Sequence, residues 1–327
     1  MSHKFYRIIP ALILLGATTS CHHKDLCFDH IHDYQVNVVF DWRNAPDGNP
    51  ESMALYMFDR GETSQTIAGG SLRYIFSDRY GGQIRIPFGY YDGLCMNSDN
   101  TDWAHFRHTD DIDNFEIYTQ EVEQLTAYGL PTRSIPRAEG TEDERVVAAP
   151  GMAWSSRSDS IALPLTDDIS TVRTITLYPE EIVCHYTVDV LDVDNISYVS
   201  NTEIDGTLSG MAEGYLHGRR CATDNHITLP FTLDVDRDAR TLHSEFLTFG
   251  ECGNTSHPHT LTIYMYLTDD SKWYYTFDVT DQVKNAPDPR HVHIVVRGLP
   301  LPKPLSHGGG LRPDVEDWQT VEVPMQM

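Results

Sequence analysis

Much of the chain is written in period two. In YQVNVVFDW, residues Tyr34, Val36, Val38, Phe40 and Trp42 share one face while Gln35, Asn37 and Asp41 share the other. That is the pattern of a strand with one buried face. The same alternation predicts strands in CHYTVDV (Cys184, Tyr186, Val188 and Val190 inward), LTIYMYL (Leu261, Ile263, Met265 and Leu267), WYYTFDV (Trp273, Tyr275, Phe277 and Val279) and HVHIVV (Val292, Ile294 and Val296). Turn formers separate the runs: Pro-Asp-Gly at 46–48, Gly-Gly at 69–70 and 81–82, Asp-Asp at 269–270. Only Gln120 to Tyr128 carries a helix-like spacing. The expectation is an all-β protein with Greek-key connections, a sandwich rather than a barrel.

At 327 residues the chain is long enough for two domains. Within TITLYPEEIVCHYTVDV one β run ends at Tyr178, Pro179 interrupts ladder donation and a new alternation starts at Ile182. The boundary is therefore placed between 180 and 181, with an N-terminal sandwich over 34–180 and a C-terminal one over 181–327. Leu130 to Arg145, with two prolines, a glycine and mixed charges, reads as a long exposed loop. After Pro-Leu-Pro-Lys-Pro at 300–304 and Gly-Gly-Gly at 308–310, a final strand is expected at about 314–325, with Trp318, Val321 and Val323 needing cover.

The first 20 residues are not fold material. Lys4 and Arg7 precede an apolar run from Ile8 to Ala17, and small residues lead to Cys21. This is the layout of a targeting segment, with an apolar run shorter than the ~18 residues that span a bilayer. Residues 21–33 then serve as a tether. A net charge of −24 excludes nucleic acid as a partner, because phosphate binding needs a basic stripe. Six cysteines, at 21, 27, 95, 184, 221 and 252, contain no CxxC pair. Once Cys21 is set aside an odd number remains, which predicts mostly buried thiols with room for one bridge.

Chemistry-bearing strings are few. Asp234, Asp236, Asp238 and Glu245 fall at positions 1, 3, 5 and 12 of a calcium-loop pattern. However, Ala239 stands where the turn needs glycine, and both flanks alternate as strands. An acidic hairpin tip is the preferred reading, calcium the alternative. Histidine pairs at 22/23, 30/32, 105/108, 257/259 and 291/293 lack a third metal ligand and read as solvent-facing. There is no GxSxG elbow, no P-loop and no HExxH, so no enzyme activity and no cofactor is expected.

The segment ending at Cys21 resembles a bacterial lipoprotein signal peptide, which implies acylation of the Cys21 thiol as the mature N-terminus. Two or three acyl chains, such as palmitate, anchor a protein at ~0.8 kcal/mol per buried methylene. Lys24 and Asp25 are similar to the signal that sends lipoproteins to the outer face of the outer membrane. Asp159-Ser160-Ile161 resembles an O-glycosylation sequon with Ser160 as the acceptor. Beyond these, MALYMFD (53–59), GGQIRIPFGYYDGLCMNSDNTDWAHFR (81–107), LYPEEIVCHYTVDVLDVDN (177–195), GTLSGMAEG (206–214), YYTFDVTDQV (274–283) and GGGLRPDVEDWQTVEVPM (308–325) resemble the fimbrillin-like lipoproteins of Bacteroides. That superfamily includes subunits and anchors of type V pili, and the nearest match is a subgroup of uncharacterised function.

The resemblance implies two transthyretin-like sandwiches in tandem and a role in fimbria-like assembly, anchoring or adhesion. In the superfamily an arginine-specific cleavage frees a groove that a neighbour's strand fills. Here no arginine lies between Cys21 and the first strand, the nearest being Arg43. This favours an anchor, tip or stand-alone adhesin, partnered by the membrane, by other fimbrillin-like subunits or by surface ligands. The alternative is a glycan-binding lipoprotein of polysaccharide uptake.

Overall fold

The computed structural model describes residues 33–61, 70–164, 171–253, 257–304 and 318–322. Cys21, Lys24, Asp25 and Cys27 therefore lie outside the described residues. The first half supplies β1 (Asp33–Phe40), β2 (Met53–Asp59), β3 (Ser71–Phe76), β4 (Gly81–Pro87), β5 (Gly89–Asn97), β6 (His105–Arg107), β7 (Glu116–Tyr118), β8 (Arg145–Val146), β9 (Trp154–Leu163), β10 (Arg173–Leu177) and β11 (Glu180–Glu181). The second supplies β12 (Cys184–Leu191), β13 (Glu203–Ala212), β14 (Gly214–Leu216), β15 (Cys221–Ala222), β16 (His226–Asp236), β17 (Thr241–Thr248), β18 (Thr260–Tyr266), β19 (Lys272–Asp278), the short helix α1 (Thr280–Lys284), β20 (His291–Arg297) and β21 (Gln319–Glu322). The protein is all-β, as the alternation predicts.

Two sheets, ordered β10-β1-β4 and β11-β9-β5-β2-β3, enclose a core of Tyr34, Val36, Val38, Phe40, Met53, Leu55, Met57, Ile86 and Tyr91. Each such side chain taken fully from water contributes about 1.5–3 kcal/mol before entropy is counted. Trp42 is buried with this core, but it opens a 3-10 turn rather than extending β1. A larger sheet runs β20-β12-β17-β16-β13-β18-β19-β21, with β16 and β17 joined as a hairpin. It encloses Tyr186, Val188, Val190, Leu208, Leu261, Ile263, Tyr275, Phe277 and Ile294. Cys184 and Trp273 are only half-buried at its margin. Strand β21 pairs in parallel with β19, and Trp318 packs edge-on against Tyr264 and Tyr266 at 5.6 and 5.7 Å.

Two local expectations fail. Gln120 to Tyr128 is not helical, because the buried carboxylate of Asp205 takes the N–H groups of Ala127 and Tyr128 at 2.8 and 3.0 Å, and Leu125 donates to Leu130. The 130–145 stretch is irregular, as expected of a loop, but exposed on one side only. Thr132, Ile135, Ala138, Thr141 and Glu144 are buried, and Tyr264 donates its hydroxyl to the Pro136 carbonyl at 2.8 Å. The stretch seals the outer face of β18, which is why Tyr264 is fully buried although it points away from the core. It ends in β8, which pairs with β16 of the second half at Ile227 and Thr228.

A small sheet, β15-β14-β7-β6, joins the halves. Phe115, at the start of β7, packs on Tyr56 and Phe58 of β2, while Ile117 meets Ala153, Ala212 and Phe249. Beside it the β13 strand bulges between Leu208 and Met211. Gly210 takes φ +76 there, and a Cβ at this position would stand 2.6 Å from the Pro258 carbonyl oxygen.

Candidate functional site

A groove of about 830 Å³ opens between β9 and β10. It exists because two sheets end there without meeting. Strand β9 pairs with β5 on one side, and β11 covers only Trp154 and Ser155 on the other. Strand β10 pairs with β1 alone, and among the described residues no ladder joins β9 to β10. Backbone donors and acceptors along an edge are a template for another strand. The groove's inner wall is apolar, Ile161, Leu163 and Ile175, and hydroxyls of Ser158, Ser160, Thr174 and Thr176 line it together with the charged Asp159 and Arg173. No aromatic ring lines it.

One end of the groove is fixed by Tyr34, at the start of β1. Its hydroxyl donates to the Pro164 carbonyl at 2.6 Å, and the Arg173 guanidinium lies 4.5 Å from its ring centre. The chain therefore enters the fold beside the groove. Ser160, the sequon residue, is exposed on the groove wall in a left-handed conformation, φ +62. Its N–H donates to Asp92 at 2.9 Å and its hydroxyl oxygen accepts from Arg60 at 2.6 Å.

The opposite edge, β20, is closed. Gln282 of α1 donates to the Val295 carbonyl at 3.0 Å and accepts the Val295 N–H at 2.8 Å, so one side-chain amide occupies the place of a neighbouring strand.

The seam between the halves holds the buried polar groups. Glu213, 2% exposed, accepts from Arg145, from Arg107 at 3.1 Å and from Asn225 at 2.8 Å. Burial alone would raise its pKa, but Arg145, Asn225 and Arg107 outweigh that and hold it below the usual carboxylate value. Glu144 accepts from Gly210 N–H and Thr228, and meets His257 at 3.0 Å. His217, enclosed by Phe106, Phe115 and Tyr215, is pushed down to about 3 by burial. Its Nδ1 lies 2.9 Å from Ser155 Oγ, a serine–histidine contact. The adjoining cavity of about 20 Å³ has room for one water and none for a substrate.

The acidic string forms a hairpin tip. Asp236 ends β16 and accepts the N–H groups of Asp238 and Ala239, Asp234 pairs across to His243, and Glu245 projects into solvent. Among the described residues no three His, Cys, Asp or Glu side chains are grouped to hold a metal. The histidine pairs separate: His259 is buried, His257 meets Glu144, and His291 and His293 are exposed beside carboxylates, while 22/23 and 30/32 lie outside the described residues. Cys95, Cys184 and Cys221 are free thiols, and Cys252 donates to the Thr223 carbonyl at 2.9 Å. The groove escapes sequence reading because edges are a property of pairing. The hydroxyl-rich runs SSRSDS and TVRTIT are its only local mark.

The fold defined by these sheets is that of a structure described as a "putative adhesin" from Bacteroides ovatus, with a TM-score of 0.58 at 18% identity, covering 94% of this chain and 98% of that one. The fimbrial anchor protein of Porphyromonas gingivalis is also similar, at TM-score 0.49 and 13% identity over 81% of this chain and 90% of that one. The chain belongs to the family described as a domain of unknown function, DUF5119, whose model matches residues 20–232. No curated protein matches the sequence. At the level of fold, the likeness to the Bacteroides ovatus structure agrees with the all-β architecture expected from the sequence.

Proposed function

We propose that this is a lipid-anchored protein of the outer membrane, exposed at the cell surface, that works by binding rather than turnover and accepts an extended segment of a neighbouring fimbrillin-like subunit. The observation that carries the reading is the groove between β9 and β10, where two sheet edges face each other over an apolar wall. An inserted strand would satisfy the edge backbone groups through main-chain bonds and place alternate side chains on Ile161 and Ile175. The two sandwiches, 34–180 and 181–327, would act as one body, with acylated Cys21 holding the chain to the membrane and Lys24-Asp25 directing it outward. Glycan stacking is the weaker reading, because the groove wall lacks aromatic rings.

The test uses the native host. Wild-type protein in membrane extracts should run as a ladder of higher species with pilin-like partners. Ala162→Trp or Thr174→Trp, both exposed groove positions, should collapse the ladder to monomer while the near-ultraviolet circular dichroism is retained. A ladder that survives both substitutions overturns the groove as the acceptor. Retention of Cys21→Ala in the outer-membrane fraction overturns the anchor.

A further inference from the structure

The solvent face of β20, β12 and β17 carries four histidines, each beside a carboxylate. Asp189, in the middle strand, bridges both neighbours: Oδ1 lies 2.8 Å from His243 Nδ1 on β17, and Oδ2 lies 2.6 Å from His293 Nε2 on β20. His185 Nε2 lies 2.5 Å from Glu181, and its ring stacks at 5.2 Å on His291, directly opposite in the ladder. His291 Nδ1 lies 2.8 Å from Asp288, and Glu245 is 3.7 Å from His243 Nε2. Other charges on this face are Asp234 of β16, opposite His243, Arg297 of β20, 3.5 Å from Asp192, and Arg290, which donates to the Glu181 carbonyl. Carboxylates outnumber fixed cations on this face, and a proton on an imidazole turns its contact with a carboxylate into a charge-assisted bond.

The strand bound through these contacts is the outermost of its sheet. Strand β20 pairs with β12 on one side and is met on the other by Gln282. We propose that the Asp189 bridge is a proton-operated clamp on β20, which ties the edge strand to β12 and β17 in mild acid and relaxes as the pH rises. The window is set by the groups themselves. Hydrogen bonding from Asp189 raises the His243 pKa. Burial would raise Asp189, but His243 and His293 lower it on balance. The tie thus requires Asp189 ionised and a proton on the imidazoles that it bridges. The stacked pair limits the effect, because His185 and His291 repel when both are charged.

Hydrogen exchange of the full chain, read by mass spectrometry at pH 5.5 and 7.5 after correction for intrinsic rates, tests the clamp. Exchange of β20, referenced to the interior strand β18, should be slower in acid, by up to about tenfold, the equivalent of one pKa unit. Asp189→Asn should abolish that ratio, and His243→Gln or His293→Gln should each remove part of it; all three positions are at the surface. A β20-to-β18 ratio that does not change with pH in the wild type, or that persists unchanged in Asp189→Asn, overturns the proposal.

Discussion

Two places in this molecule bring sheet margins together, and they are finished in opposite ways. At the seam, β6, β7 and β14 pair, Phe115 packs on Tyr56 and Phe58 of β2, and Glu213 gathers two arginines and an asparagine. At the groove, β9 and β10 face each other with an apolar wall and hydroxyl rims, and no described strand closes the gap. The seam's bonds lie within the chain and hold two halves as one. At the groove, no described strand pairs with the backbone groups that β9 and β10 turn toward each other. A protein that needs stability in one place and binding capacity in another can spread its edges this way, since a single exposed strand edge is tolerated only where it is managed or used.

The sharpest way to break the contrast is at Glu213. Glu213→Ala strands Arg107 and Arg145 over a buried site, and loss of about 3 kcal/mol is expected, the lower end for a broken buried pair because both arginines are partly exposed. A lower urea midpoint at neutral pH measures it. Next comes acid. A buried neutral histidine contributes stability that is present above its unfolded value near 6.5 and is lost as pH falls toward about 3, because the unfolded chain takes up the proton first. Wild type should therefore weaken between pH 6.5 and 4 more steeply than His217→Phe, compared by thermal unfolding across that range. Glu213, held low, adds a loss of the same sign further down. The smallest effect belongs to the groove. Ala162→Trp should move the unfolding midpoint by less than about 0.5 kcal/mol, as surface substitutions do, even though it removes assembly. Equal stability costs at seam and groove would erase the distinction.

Much of the fold is legible from alternation: Tyr34 to Phe40, Tyr186 to Val190 and Val292 to Val296 all face inward as their spacing predicts. What alternation reports is whether a residue has one covered face. It does not report what covers the other: Tyr264 alternates with the inward-facing Ile263 and Met265, yet Ile135, Pro136 and Trp318 cover it. For the same reason the 130–145 stretch, rich in turn formers, reads as exposed when its small residues pack against a sheet from the far half. Glu213 sits unremarked in GTLSGMAEG, since its partners Arg107 and Arg145 are remote in sequence. The groove is further still from local reading, because an unpaired edge is fixed only when every other strand has found its neighbour.

A cleft that receives a segment unlike its own walls has a consequence for symmetry. Two copies joined through it are related head to tail, not by a twofold axis, so the contact does not close on itself. Each unit added leaves one unsatisfied end, and growth stops only at a member that has a cleft but gives no segment, or gives one and has no cleft. With β21 paired to β19 of its own sheet and β20 met by Gln282, the proposed function would make this chain a member that receives at the groove. In a polar filament such a member belongs at a terminus.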